Sequence, residues 1–132
     1  MPLGERFEEA LVYATRLHGA QLRKGSAVPY VAHLLAVTAL VLEDGGGEEE
    51  AVAALLHDAV EDQGGDATRQ EIRRRFGDHV TALVDGCTDT DVVPKPPWRE
   101  RKERYLEHLA TAPPEVRRIS AAFFFDRSIS YA

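Results

Sequence analysis

An all-α bundle is the fold class this sequence predicts, and three observations predict it. Apolar residues recur at three- to four-residue spacing nearly everywhere, Gly and Pro gather at a few break points, and no stretch reads convincingly as a strand. The 132 residues suit one domain with a core of its own. No internal repeat and no domain boundary interrupts the pattern.

Phe7, Leu11, Ala14 and Leu17 place one apolar stripe on a first helix from about Glu5 to Leu22. The stretch from Arg23 to Pro29, with Gly25 and Ser26, reads as a loop. From Tyr30 to Leu42 the residues are almost all apolar, which predicts a helix buried on most sides. Gly45, Gly46 and Gly47 end it. Glu48, Glu49 and Glu50 then open a third helix, at the end of the dipole that favours negative charge, and it runs to about Asp62. After Gly64-Gly65, Thr68 and Glu71 form a capping box for a fourth helix ending near Phe76-Gly77. Asp78 is placed to cap a fifth, through Val80, Leu83 and Val84. A Pro-rich loop from Val92 to Pro97 precedes a sixth helix from Trp98 to before Pro113, and a seventh begins at about Glu115.

Composition excludes several functions. The formal net charge of −6 disfavours nucleic acid and anionic membranes as partners of the whole chain. Two basic runs depart from that average. Arg69, Arg73, Arg74 and Arg75 read as a solvated helix face, while Arg99, Arg101, Lys102 and Arg104 form the second. The lone Cys87 forms no internal disulfide and does not suit a Cys-rich metal site. No apolar run has the length of a membrane span, and the N-terminus lacks a signal-peptide pattern, so a soluble cytoplasmic protein is expected.

The chemistry concentrates on the third helix. His57 and Glu61 are four residues apart, as are Asp58 and Asp62, so all four lie on neighbouring strips of one surface. Three carboxylates crowd the last turn of an apolar helix, where the dipole disfavours them, and a divalent cation would relieve the repulsion. A solvated acidic helix end is an equally good reading of this segment alone. His33 alters the balance, because it opens the most apolar helix in the chain and needs a polar partner there. Two histidines and an adjacent aspartate on two packed helices are a better metal candidate than either helix alone.

These motifs form an ordered set: His18-Gly-Ala-Gln-Leu-Arg-Lys-Gly, Pro29-Tyr30-Val-Ala-His33, Ala54-Leu-Leu-His57-Asp58-Ala-Val-Glu61-Asp62, and Phe76-Gly-Asp-His-Val with Cys87-Thr-Asp-Thr. The set resembles the HD-type hydrolase domain of RelA/SpoT proteins. The loop Val93-Pro-Lys95 running into Arg99 to Arg104 is most similar to the small single-domain alarmone hydrolases. The resemblance covers residues from about 5 to about 120. It implies a metal-dependent phosphohydrolase that removes the 3′-pyrophosphate of guanosine tetra- or pentaphosphate, or of a related nucleotide. It implies one divalent cation, manganese in most of the family, on His33, His57 and Asp58, with Glu61 and Asp62 positioning and activating water. Such an assignment is chemically coherent, since a cation acidifies water and a neighbouring carboxylate takes the proton. Arg23 and Lys24 would bind the nucleotide and its phosphates, joined by Lys95. His18 and His79 stand at family-like positions but read as structural, His108 reads as surface, and Trp98 as a helix anchor.

The late helix departs from the family pattern of Ala-Asp-Lys/Arg followed by Asn. Here Ala121-Ala122 leads into Phe123-Phe-Phe-Asp126-Arg127. Without a gap Phe123 takes the ligand position; with three extra residues Asp126 does, and Asp126 is the expected fourth metal ligand. Against the family the chain reads as one HD domain over 1–132, short of the last helices, with Phe123 to Phe125 as a face for self-association. Two alternatives follow: an HD-fold binding module with impaired catalysis, and an HD nucleotidase or phosphodiesterase for another nucleotide. The Glu-Asp after the HD pair and the Arg-Lys loop favour the alarmone type.

Overall fold

The computed structural model describes residues 2–88 and 97–130, apart from the side chains of Trp98 and of residues 128–130. Among them the fold is all-α, the one extended feature being an isolated bridge between Leu22 and Pro29. The helices are α1 (Glu5–Leu17), α2 (Val31–Glu43), α3 (Glu48–Leu56), α4 (Ala59–Asp62), α5 (Gly65–Phe76), α6 (Asp78–Cys87), α7 (Trp98–Ala110) and α8 (Pro114–Ser130).

α3 is the axis of the bundle. Every residue from Ala51 to Leu56 is buried, and α1, α2, α6 and α8 all pack against it. The small side chains Ala51, Ala53 and Ala54 let those neighbours approach from several sides at once. α2 buries a broad face of Leu34, Val37, Thr38 and Val41 but leaves Leu35 46% exposed, so it is less enclosed than its composition suggests. α8 crosses α2 and α6 and seats Val116, Ile119, Ala122 and Phe123 in the core. Gly86 on α6 permits this crossing. A Cβ there would lie 2.7 Å from Cγ2 of Val116.

Three expectations need correction. The first helix stops at Leu17, not Leu22, because His18 to Ala20 turn and Arg23 then pairs with the Val28 carbonyl in the loop. The fourth predicted helix starts at Gly65, three residues before the proposed cap. Gly64 and Gly65 adopt φ of 111° and 60°, a turn open to glycine, and the Thr68 hydroxyl donates back to the Gln63 carbonyl instead of capping. The single helix expected from Glu48 to Asp62 is broken at His57-Asp58. There the His57 ring Nδ1 donates to the Ala54 carbonyl at 2.7 Å, and Asp58 (φ −101°, ψ −1°) starts α4. The Ala54 carbonyl accepts this imidazole hydrogen together with a long bond of 3.5 Å from the His57 backbone N–H.

The first basic run is a solvated face, as read. Arg69 forks onto Asp85 with both bonds at 2.8 Å, Arg74 and Arg75 share Glu71, and Arg73 meets Asp78 at 3.0 Å.

Candidate metal centre

His33 comes from the first turn of α2 and His57-Asp58 from the break between α3 and α4. All three residues are at least 96% buried, and one donor atom from each lies within 4.8 Å of the others. His57 Nε2 is 3.0 Å and His33 Nε2 3.5 Å from Asp58 Oδ2. Neither nitrogen has a hydrogen-bond partner, despite full burial. Buried polar atoms without partners are rare, because each forfeits its bonds to water. Two orphaned imidazole nitrogens converging on a carboxylate are the arrangement a divalent cation satisfies, and the N,N,O donor set suits zinc, manganese or iron. Both rings are prepared for it. The Nδ1 of His57 is taken by Ala54 and that of His33 by Asp126, leaving each Nε2 facing the cluster.

Charges in the cluster are tightly coupled. Burial opposes a charge on His57, yet the adjacent Asp58 carboxylate outweighs it and lifts the imidazole above its ordinary value. Burial alone would raise Asp58 as well, but His57, His33 and Arg127 hold it well below the usual carboxylate range. The Tyr30 hydroxyl donates to Asp58 Oδ2 at 2.5 Å; burial, and then that carboxylate, push Tyr30 far above the tyrosine range.

The remaining predicted residues fall into distinct places. Glu61 is largely buried, lines a narrow recess with Asp58 and Arg127, and lies 3.9 Å from Arg101. Asp62 is exposed and accepts from Gln21 at 3.2 Å. Arg23 and Lys24 line a cleft of about 420 Å³ together with Tyr30, His33, Lys102, Phe124 and Arg127. Lys95 lies outside the described residues. A larger cleft along α1 is lined by Glu5, Glu8 and Glu9 with Arg16 and Arg75, and holds none of the donor residues. His18 is buried, bonded to Gln21 and stacked on Tyr30, while His79 is exposed against Glu49.

α8 departs most from expectation. Phe123 lies flat on the His57 ring, centroids 5.1 Å apart and planes within 3°. Asp126 is not in the donor cluster. Its Oδ2 sits 2.5 Å from His33 Nδ1, the nitrogen turned away from Asp58, and 3.1 Å from Arg23. The described residues therefore bring three donors together, not four. Sequence reasoning passed over Arg127, which lies 3.7 Å from Asp58 Oδ1 and over the Phe123 ring. It also left Lys102 in an unassigned basic run. The basic run from Arg99 to Arg104 is the available signal for Lys102, and Arg127 has no comparable one.

Comparison with known proteins agrees with this geometry. A family model described as "HD domain" matches residues 10–126. A GTP pyrophosphokinase of Streptomyces coelicolor is 46% identical over 88 residues, which are 67% of this chain and 10% of that protein. The guanosine-3′,5′-bis(diphosphate) 3′-pyrophosphohydrolase of Xenopus tropicalis is 40% identical over 103 residues, 76% of this chain and 55% of that protein. The chain thus spans about a tenth to about half the length of these relatives. The solved structure of a metazoan ortholog of SpoT that hydrolyses ppGpp superposes with a TM-score of 0.85 at 32% identity, covering 96% of this chain and 70% of that one. A Listeria monocytogenes protein of 37% identity superposes at 0.66, covering 78% and 64%. The chain belongs to the HD-domain family of phosphohydrolases and is related within it to the RelA/SpoT-type ppGpp hydrolases.

Proposed function

We propose that this HD domain, taken as one unit over residues 1–132, is a manganese-dependent hydrolase of the 3′-pyrophosphate of guanosine tetra- or pentaphosphate. The observation that carries the reading is the cleft in which His33 stands beside Arg23, Lys24, Lys102 and Arg127. One cation donor, His33, and the basic side chains line the same space, and Arg127 continues from it into the recess beside Asp58.

His33, His57 and Asp58 would hold the ion, and Tyr30 keeps Asp58 oriented through its hydroxyl. When bound, the ion supplies Lewis acidity and makes nearby water a stronger acid. Glu61, next to Asp58 and sheltered from bulk solvent, accepts the water's proton, and Asp62 one residue on supports it from the exposed side. The guanidinium of Arg23 and the ammonium groups of Lys24 and Lys102 bind phosphate oxygens, with Lys95 assigned to the same anion. Arg127, lifted further in pKa by Asp58 and Tyr30 against the opposing effect of burial, stays charged at the cleft floor.

One observation favours a second reading, an HD module with weak or no turnover. Phe123 covers His57, and Asp126 bonds Nδ1 of His33 instead of joining the donor cluster. Pyrophosphate release from guanosine tetraphosphate by manganese-loaded protein separates the two. Turnover abolished in His57→Ala supports the hydrolase. Metal bound without turnover supports the module, and turnover of another nucleotide alone would redirect the substrate assignment. Self-association through the Phe124-Phe125 face, 36% and 55% exposed, belongs to the same proposal and is read by sedimentation.

A further inference from the structure

An imidazole ligates through one nitrogen, and whatever holds the other decides which nitrogen that is. For His57 the holder is local: the Ala54 carbonyl, one turn back on the same helix. For His33 it comes from 93 residues away, the Asp126 carboxylate on α8. A carboxylate oxygen accepts, so a His33 Nδ1 at 2.5 Å from Asp126 Oδ2 carries the hydrogen, and in the neutral imidazole that ligates a cation the lone pair falls on Nε2. That is the nitrogen which lies in the cluster, buried and without a hydrogen bond. The same Oδ2 accepts from Arg23 at 3.1 Å, and both side chains are mostly buried, at 13% and 19% exposure. Arg23 therefore fixes the carboxylate while lining the cleft.

The geometry points to Asp126 as a positioning residue for His33, clamped by Arg23, and not as a metal ligand. It sets the tautomer and ring orientation through which His33 offers Nε2 to a divalent cation. This inference rests on the metal-site reading but on no particular substrate.

The test uses the full chain and Mn²⁺ alone. Long-range ¹H–¹⁵N spectra of the metal-free protein should show a hydrogen on His33 Nδ1, and Asp126→Ala should change that signature. Asp126→Ala should weaken Mn²⁺ binding by about 10- to 100-fold, the range for loss of a group that orients a ligand. Asp126→Asn should stay within about threefold of the parent, because its amide oxygen still accepts the Nδ1 hydrogen. A true ligand would behave otherwise: both variants would lose binding alike, since an amide is a poor substitute for a coordinating carboxylate. Circular dichroism of the near-isosteric Asn variant verifies the fold. Unchanged Mn²⁺ affinity in Asp126→Ala, equal losses in both variants, or an Nε2–H tautomer in the parent overturns the inference. Failure of nucleotide hydrolysis with these results intact would fall on the substrate reading alone.

Discussion

Phe123→Asp asks whether α8 can supply the donor that the cluster lacks. Phe123 is 5% exposed and stacked on His57, so its ring is both core and lid. Removing a buried phenylalanine costs about 3–5 kcal/mol, and loss of the ring pair adds about 0.5–1.5 kcal/mol. In metal-free protein the variant should therefore melt lower by about 14–26 °C, taking about 4 °C per kcal/mol for a chain of this size. A carboxylate in that place joins His33, His57 and Asp58 around the ion, so Mn²⁺ should bind at least about tenfold tighter, about 1.4 kcal/mol. Ligand binding stabilises as the logarithm of free ligand over Kd, by about 4 kcal/mol at a thousandfold excess. The variant should thus regain most of its lost stability on adding Mn²⁺, with a larger rise in Tm than the parent shows. Scanning fluorimetry with and without chelator, and titration calorimetry, measure both effects. A lowered Tm that metal does not restore, with affinity no tighter than the parent's, would refute the idea that Phe123 stands where a ligand would.

Two further outcomes check the frame around the site. Gly86→Ala should destabilise by about 1–3 kcal/mol in denaturant titration, since the new methyl meets buried Val116 and α8 must shift. A change below about 0.5 kcal/mol would mean the α6–α8 crossing is looser than described. Glu49 is held below the usual glutamate range, by the His79 ring first and Arg6 second. A depressed carboxylate stabilises above its unfolded pKa of about 4.3 and loses that contribution as pH falls through the folded value. Glu49→Gln should therefore lower stability above about pH 5 by less than about 1 kcal/mol, given its 37% exposure, and match the parent in strong acid. A penalty independent of pH would point to packing instead.

The helices were legible because burial imposes a three- to four-residue period, clear in α1, and because the apolar run of α2 is too long for a strand. His33 and the His57-Asp58 pair were legible for a related reason: polar groups inside apolar helices need partners. What escaped depended on contacts distant in sequence. Nothing local to the segment shows that the His57 ring bonds Ala54 and breaks the helix, because that choice depends on a cluster completed by α2. Thr68 and Glu71 have the spacing of a capping box, but two glycines with positive φ start the helix earlier. Lys102 and Arg127 enter one cleft only once α7 and α8 have packed. Asp126 had the right residue type and helix, yet a side chain's partner on another helix is fixed by rotation about the axis, which sequence spacing does not specify.

α8 works as a key with teeth on successive turns. Phe123 and Asp126 are separated by about 4.5 Å along the axis and lie about 60° short of a full turn apart. One tooth closes over His57 while the next engages the back of His33, and Arg127 follows beside Asp58. Because one rod carries all three, sliding or rotating it changes every contact together. A substitution that displaces α8, as at Gly86, would therefore disturb the stacking on His57, the bond to His33 and the approach of Arg127 to Asp58 at once.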